Sequence, residues 1–367
     1  MYLHIILEEP KFPPLIRNLY ETVCSDNHIF VILGESSKLL GFKYVATVRD
    51  LADLIGSRSD WQGVILHGIL DGFEPYLDAV PRDLKLAWVV WGFEAYRYKH
   101  MANWGLLEPE TSAFVFNSFR SRMKVFVRPM AWHLRGIFRR FRRVVNRINY
   151  VVTHLESEYK LFQDWGLISP NNVWHEAAVL LMSDVAPLSS CHYSGGRLDI
   201  QVGNSATPTN NHIDVFRRLA MEDLTGRRVL VPLSYGDDDY RDFVVRRGSE
   251  ILGDHFFPII DFMPLEQYLK QFDRCGIVIL NNYRQQAVGN VIAALWAGRS
   301  LYLGPSTVYQ DYKSKGLPVF SFQSEFDLNR AEISLSSLSE VRIKLSDFIG
   351  DYAVVQKTAC LLERLDS

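Results

Sequence analysis

Short β-rich runs alternate with helically spaced stretches along almost the whole of this 367-residue chain, and that rhythm limits the fold more than any other feature. The first half offers "YLHIIL" (2–7), "HIFVIL" (28–33), "GVILHG" (63–68), "KLAWVVWG" (85–92), "YVVTHL" (150–155) and "AAVLLM" (177–182). The second half repeats the pattern with "LDIQVG" (198–203), "RVLVPLSY" (228–235), "FFPIIDFM" (256–263), "GIVILN" (276–281), "SLYLG" (300–304) and "LPVFSF" (317–322). Apolar runs of this length between amphipathic helices predict βαβ units, with parallel sheets covered on both faces. A Ser-, Gly- and Pro-rich stretch, "SDVAPLSSCHYSGGR" (183–197), reads as a linker. The expected architecture is α/β, with two Rossmann-like doubly wound domains over residues 1–182 and 198–345. A closing helix over 346–367 could pack back on the first domain. Ligands of open α/β sheets sit beyond the carboxyl ends of the strands, so two such domains would face each other across a cleft.

Composition excludes several classes. The longest apolar stretch, "LAWVVWGF" (86–93), is far short of the roughly 20 residues a membrane helix needs. The N-terminus lacks the positive flank of a signal peptide. Cys24, Cys191, Cys275 and Cys360 fit no zinc spacing and read as reduced thiols of a cytoplasmic protein. The net charge of −2 conceals an asymmetry. From Thr111 to Leu155 there is no acidic residue, yet there are ten basic ones: Arg120, Arg122, Lys124, Arg128, Arg135, Arg139, Arg140, Arg142, Arg143 and Arg147. Apolar residues among them recur three and four apart past Pro129. The segment therefore reads as a helix for an anionic membrane surface, or as one packed on its own domain with solvated arginines. No nucleic-acid recognition motif accompanies it.

Chemistry concentrates at strand ends. After "LDIQV" come Gly203, Asn204 and Ser205, then more small polar residues, with no carboxylate before Asp214. Such a loop suits an anion at a helix start, although capping alone could explain it. After "GIVIL" come Arg284, Gln285 and Gln286, then a helix of small residues that includes Gly289; a guanidinium there suits a diphosphate. Tyr235 and Gly236 end the strand between them. Asp237 and Asp239 superficially resemble a metal-binding pair but are expected to serve the helix dipole. No cofactor and no metal are expected. In the first domain His67, Asp71 and Glu94 follow strand ends, where a general base belongs.

The stretches "VGNSATPTNNHIDVF", "VLVPLSYG", "YLKQFDRCGIVIL" and "RQQAVGNVIAALWAG" resemble, in order and spacing, the 4-α-L-fucosyltransferase family, which adds N-acetylfucosamine from TDP-N-acetylfucosamine to lipid II of enterobacterial common antigen. "HG" at 67–68 and "WGFEAY" at 91–96 resemble its first-domain motifs, with Glu94 where the family usually has aspartate. The resemblance implies a metal-independent GT-B glycosyltransferase with a TDP-sugar donor and a polyprenyl-diphosphate-linked glycan acceptor, peripheral on the cytoplasmic face of the inner membrane. The donor would lie on Gly203, Asn204, Ser205, Tyr235, Gly236, Arg284, Gln285, Gln286 and Gly289. Glu94, His67 or Asp71 would activate the acceptor, and Arg135, Arg139, Arg140, Arg142 and Arg143 would meet the membrane. Another nucleotide sugar, a soluble glycan acceptor, or a non-catalytic nucleotide-sugar or lipid sensor remain alternatives at this level. Nucleic acid is not an expected partner.

Overall fold

The computed structural model describes residues 1–7, 12–34, 39–69, 72–99, 104–117, 123, 127, 130–185, 196–330 and 333–367. The chain divides into two compact units. One comprises Met1–Lys99, Val127–Asp184 and Phe348–Ser367; the other comprises His100–Phe126 and Val185–Asp347.

The first unit holds a seven-stranded sheet in the order β3-β2-β1-β4-β5-β6-β7. Its strands are β1 (Tyr2–Leu7), β2 (His28–Leu33), β3 (Lys43–Val45), β4 (Gly63–His67), β5 (Leu86–Val89), β6 (Tyr150–Thr153) and β7 (Val173–Glu176), all in parallel pairs. Every residue of β4 and β5 is buried, as continuous apolar runs in a doubly covered sheet require. Helix Phe12–Val23 buries Ile16, Leu19 and Tyr20. Helix Val48–Gly56 starts in a capping box, where Thr47 and Asp50 each accept the other's backbone N–H. The C-terminal helix Asp351–Asp366 also belongs to this unit: the Tyr2 hydroxyl donates to Leu362 O at 3.0 Å, and the Tyr150 hydroxyl to Arg364 O at 3.2 Å. One expected strand is corrected. "AAVLLM" (177–182) does not pair. Leu180, Leu181 and Met182 are apolar because they are buried, and the last strand is the preceding "VWHE".

The second unit holds six parallel strands in the order β10-β9-β8-β11-β12-β13. These are β8 (Asp199–Val202), β9 (Val229–Pro232), β10 (Phe256–Ile259), β11 (Cys275–Leu280), β12 (Ser300–Leu303) and β13 (Val319–Ser321). The chain winds outward from β8 through β9 to β10, then returns to place β11 on the other side of β8. The reversal makes a topological switch point between β8 and β11, whose registers pair Val202 with Ile279. The core around it is Val202, Phe216, Val231, Ile279 and Tyr302, each fully buried.

A segment from the first half of the sequence completes this unit. Helix Pro109–Val115 packs with Phe114 stacked on Phe243, ring centroids 3.8 Å apart and planes within 12°. Asp214 caps that helix: Oδ1 accepts the N–H of Glu110 at 2.8 Å, and Oδ2 accepts the N–H and hydroxyl of Thr111 at 3.1 and 2.7 Å. The sequence division, which left these residues in the first domain, differs here because contacts about a hundred residues apart carry no local signal.

Candidate functional site

The residues expected to hold a donor come together at the carboxyl edge of the second sheet. Gly203 directly follows β8 with φ +69°, and a Cβ there would lie 2.5 Å from His212 Nε2, so only glycine lets the loop leave the strand this way. Gly236 is similarly required: φ is +127°, and a Cβ would meet Ala206 O at 2.5 Å. That close approach pairs the two loops, with Ala206 N donating to Tyr235 O at 2.8 Å and Asp237 N to Ala206 O at 2.9 Å. Asp237 Oδ1 then accepts Tyr240 N–H, capping helix Asp238–Leu252, which is the dipole role expected for this acidic run.

Asn204 joins the two sides of the switch point. Its Nδ2 donates to the exposed Tyr235 hydroxyl at 2.9 Å, and its Oδ1 accepts from Gln286 Nε2 at 3.1 Å. Gln286 Oε1 in turn accepts the Thr209 hydroxyl at 2.7 Å. Ser205 is buried, with its hydroxyl on Thr207 at 2.9 Å, so it shapes the loop more than it faces solvent. Arg284 lies half-buried beside Gln286, with Nη1 donating to Gln285 O at 3.2 Å; Gln285 itself is buried. Ala287, at φ +58°, then starts helix Val288–Trp296, placing Gly289 in its first turn. A left-handed non-glycine residue costs about 1–3 kcal/mol and persists where surrounding structure fixes it. Asn211 on the opposite loop has the same conformation, φ +52°, and is held through its side chain: Nδ2 donates to Asn281 O at 3.0 Å and to Leu106 O at 3.2 Å.

Sequence reasoning missed the carboxylate at this edge. Glu108 receives its position from Asn211, whose Oδ1 accepts Glu108 N–H at 2.8 Å. Its Oε1 accepts the Tyr283 hydroxyl at 2.8 Å and Gln323 Nε2 at 3.0 Å, while Gln323 also donates to Asn281 Oδ1 at 2.7 Å. Burial, and then the Glu108 carboxylate, push the Tyr283 phenol up, which keeps its hydroxyl a donor. The two loops themselves carry no carboxylate, as read from the sequence, but this one is brought to them from elsewhere.

The first unit answers differently from expectation. His67 ends β4 but is buried, its Nε2 3.1 Å from His4 Nδ1, while His4 Nε2 lies 2.9 Å from His28 Nδ1. Burial lowers the His67 imidazole to about 3. Glu94 is also buried: Oε1 accepts Trp88 Nε1–H at 3.2 Å and Trp91 N–H at 2.9 Å, fixing the turn into helix Phe93–Lys99. Both side chains thus serve the core instead of presenting an open base. Asp71 lies outside the described residues.

The basic segment is likewise redefined. Arg120, Arg122, Lys124 and Arg128 lie outside the described residues. Helix Ile137–Val145 buries Ile137, Phe141, Val144 and Val145 in its own unit, with Phe141 4.0 Å from Tyr98. Its apolar side is therefore covered, leaving Arg139, Arg140, Arg142 and Arg143 outward, with Arg135, Met130 and Leu134 exposed nearby. Arg143 pairs with Glu74 at 2.7 Å, and Arg140 donates to Arg135 O. No helix among the described residues is long and apolar enough to cross a membrane.

Two doubly wound parallel sheets, the second with a glycine-opened loop and an arginine at its switch point, make the GT-B fold. Solved structures share this fold. The E. coli trehalose-6-phosphate structure bound with UDP-2-fluoro glucose aligns over 100% of this chain and 99% of its own, at TM-score 0.63 and 9% identity. Sucrose-phosphate synthase from Thermosynechococcus elongatus aligns over 99% and 98%, at TM-score 0.61 and 9% identity. Anabaena HepE in complex with UDP and glucose aligns over 99% and 100%, at TM-score 0.57 and 11% identity. Within that fold, residues 178–352 match the family described as 4-alpha-L-fucosyltransferase, glycosyl transferase group 56. That match, over those residues, agrees with the sequence resemblance.

Proposed function

We propose that this chain transfers an N-acetylfucosamine-type (4-acetamido-dideoxy) sugar from a TDP-sugar to a polyprenyl-diphosphate-linked glycan, in synthesis of a cell-surface polysaccharide like enterobacterial common antigen. The match to the group 56 family over residues 178–352 carries this reading, because those residues build the loops at the switch point. Similar folds in complex with UDP or a UDP-sugar support a nucleoside-diphosphate donor.

On this reading the diphosphate lies between the loop at Gly203, Asn204 and Ser205 and the start of helix Val288–Trp296, near Gly289. Tyr235 and Gly236 line the nucleotide or sugar. Transfer breaks the bond from the sugar's anomeric carbon to the diphosphate as an acceptor hydroxyl oxygen bonds that carbon and releases its proton, which the departing diphosphate or solvent takes up. Negative charge then grows on the leaving diphosphate, where backbone N–H groups, the Gln285 and Gln286 loop and the Arg284 guanidinium oppose it without reorganising. The outward arginines of helix Ile137–Val145 would keep the protein at the anionic cytoplasmic face of the inner membrane, where a lipid-linked acceptor resides.

The test is transfer from a TDP-sugar to a lipid-diphosphate glycan in vesicles, with product followed by mass spectrometry. Arg284→Ala should weaken TDP binding about tenfold or more, the scale of a lost charge-assisted contact. Wild-type TDP affinity in a folded Arg284→Ala protein would place the diphosphate elsewhere.

A further inference from the structure

We infer that Glu108 is a donor-recognition residue, accepting a hydroxyl of the bound nucleotide sugar on its open carboxylate oxygen. The inference rests on the reading of the second unit as the donor site. Three observations place the group. Glu108 is held from both sides of the switch point, through Asn211 on the loop after β8 and through Tyr283 on the loop after β11. Both hydrogen bonds to its carboxylate, from Tyr283 and Gln323, fall on Oε1, and Oε2 accepts none among the described residues. The side chain is only half-buried and makes no ion pair among those residues, so it is reachable.

Those facts select the ligand chemistry. A carboxylate repels a phosphate but accepts strongly from a hydroxyl, and charged acceptors make the stronger hydrogen bonds. Two donors on Oε1 fix the plane of the group, so Oε2 is aimed before any ligand arrives, and little ordering remains to be done on binding. Tyr283 and Arg284 share the loop after β11, so on the proposed placement of the diphosphate the ribose or hexose hydroxyls are the ligand groups that Oε2 would accept. A carboxylate at that place discriminates by leaving itself unpaired when the hydroxyl is missing, and this is the more selective form of recognition. Tyr283 and Gln323 act as positioning residues, since they touch the carboxylate and hold its orientation.

Calorimetric titration of wild type, Glu108→Gln and Glu108→Ala with TDP, 3′-deoxy-TDP and a TDP-sugar tests the assignment. Glutamine keeps one carbonyl oxygen for Tyr283 and Gln323, so Glu108→Gln is expected to melt as wild type does even if the alanine variant does not. Wild type should bind TDP about tenfold more tightly than 3′-deoxy-TDP, and Glu108→Gln should bind both equally, at the weaker level. That coupling between one carboxylate and one ligand hydroxyl would not arise from a purely structural role. A loss confined to the TDP-sugar would also support the inference, placing the hydroxyl on the hexose rather than the nucleoside. Unchanged affinity of Glu108→Gln for all three ligands overturns the assignment while leaving the donor site standing. Failure of wild type to bind any of them overturns both.

Discussion

His212 shows how one residue at the candidate site ties local shape to solution behaviour. Its ring lies behind Gly203, Nδ1 is 3.1 Å from the Tyr240 hydroxyl, and Nε2 has no hydrogen-bond partner among the described residues. Burial lowers the imidazole from 6.5 to about 3. His67, in the first unit, is lowered to about 3 for the same reason, and His4 falls well below its ordinary value through burial, with His67 and His28 adding to it. The folded protein therefore keeps these rings neutral, whereas the unfolded chain protonates them below its histidine pKa. Below about pH 6.5 the unfolded state binds more protons, so folding stability falls as pH drops through the window from about 6.5 to about 3. Each ring contributes a slope approaching 1.4 kcal/mol per pH unit, at about that magnitude, within the window. Urea unfolding should show a clearly lower midpoint at pH 5.5 than at pH 7.0. A midpoint that does not move over that interval would count against neutral buried imidazoles at His4, His67 and His212.

Helix Ile137–Val145 and the arginine that follows it separate two uses of the same side chain. Arg147 donates to three carbonyls at the end of the neighbouring helix region, from Nη1 to Leu77 O and to Val80 O at 3.2 Å, and from Nη2 to Pro81 O at 3.0 Å. Removing it leaves those oxygens to find other donors, so Arg147→Ala should lower stability by about 1–3 kcal/mol while changing vesicle binding little. Arg139 and Arg142 lie on the outward face. Reversing both to Glu should leave the melting temperature near wild type, since solvated charges contribute little, yet cut retention on anionic vesicles at least tenfold, from about 1 kcal/mol per surface charge. Unreduced flotation of the reversed protein would return this helix to a purely structural role. The sequence pattern of arginines among apolar residues was readable at three- and four-residue spacing, but it could not say whether lipid or the protein's own core covers the apolar side. Phe141 against Trp88 and Tyr98 decides for the core.

At the scale of the whole chain, local signals were legible and distant ones were not. Strands such as Cys275–Leu280 announce themselves because burial on both faces makes them uniformly apolar, and the glycine-led loop after Val202 announces itself by composition. The three-residue edge strand Lys43–Val45 is too short for a periodic signal, and "AAVLLM" showed that apolar composition records burial, not pairing. Glu108 was invisible as a site residue because its partners Tyr283 and Gln323 lie 175 and 215 positions along the chain. The same long reach makes the second unit discontinuous, and that has a consequence for fragments. Residues 198–345 alone, the domain a linear division would draw, lack helix Pro109–Val115. Asp214, whose carboxyl burial pushes upward, would lose its three donors, Asn211 would lose Glu108, and Phe243 would lose its stacking partner. A buried acceptor left unpaired costs about 1–3 kcal/mol, and an uncovered aromatic adds an exposed apolar patch, which together are a large part of a domain's net stability. The 198–345 fragment should therefore unfold at markedly lower urea than one in which residues 100–126 are joined by a flexible linker to 185–347, and it should aggregate on warming. Circular dichroism melts of the two fragments, with TDP titration of each, measure the difference. Equal stability and equal TDP affinity would mean that the 100–126 segment contributes nothing to the unit it completes.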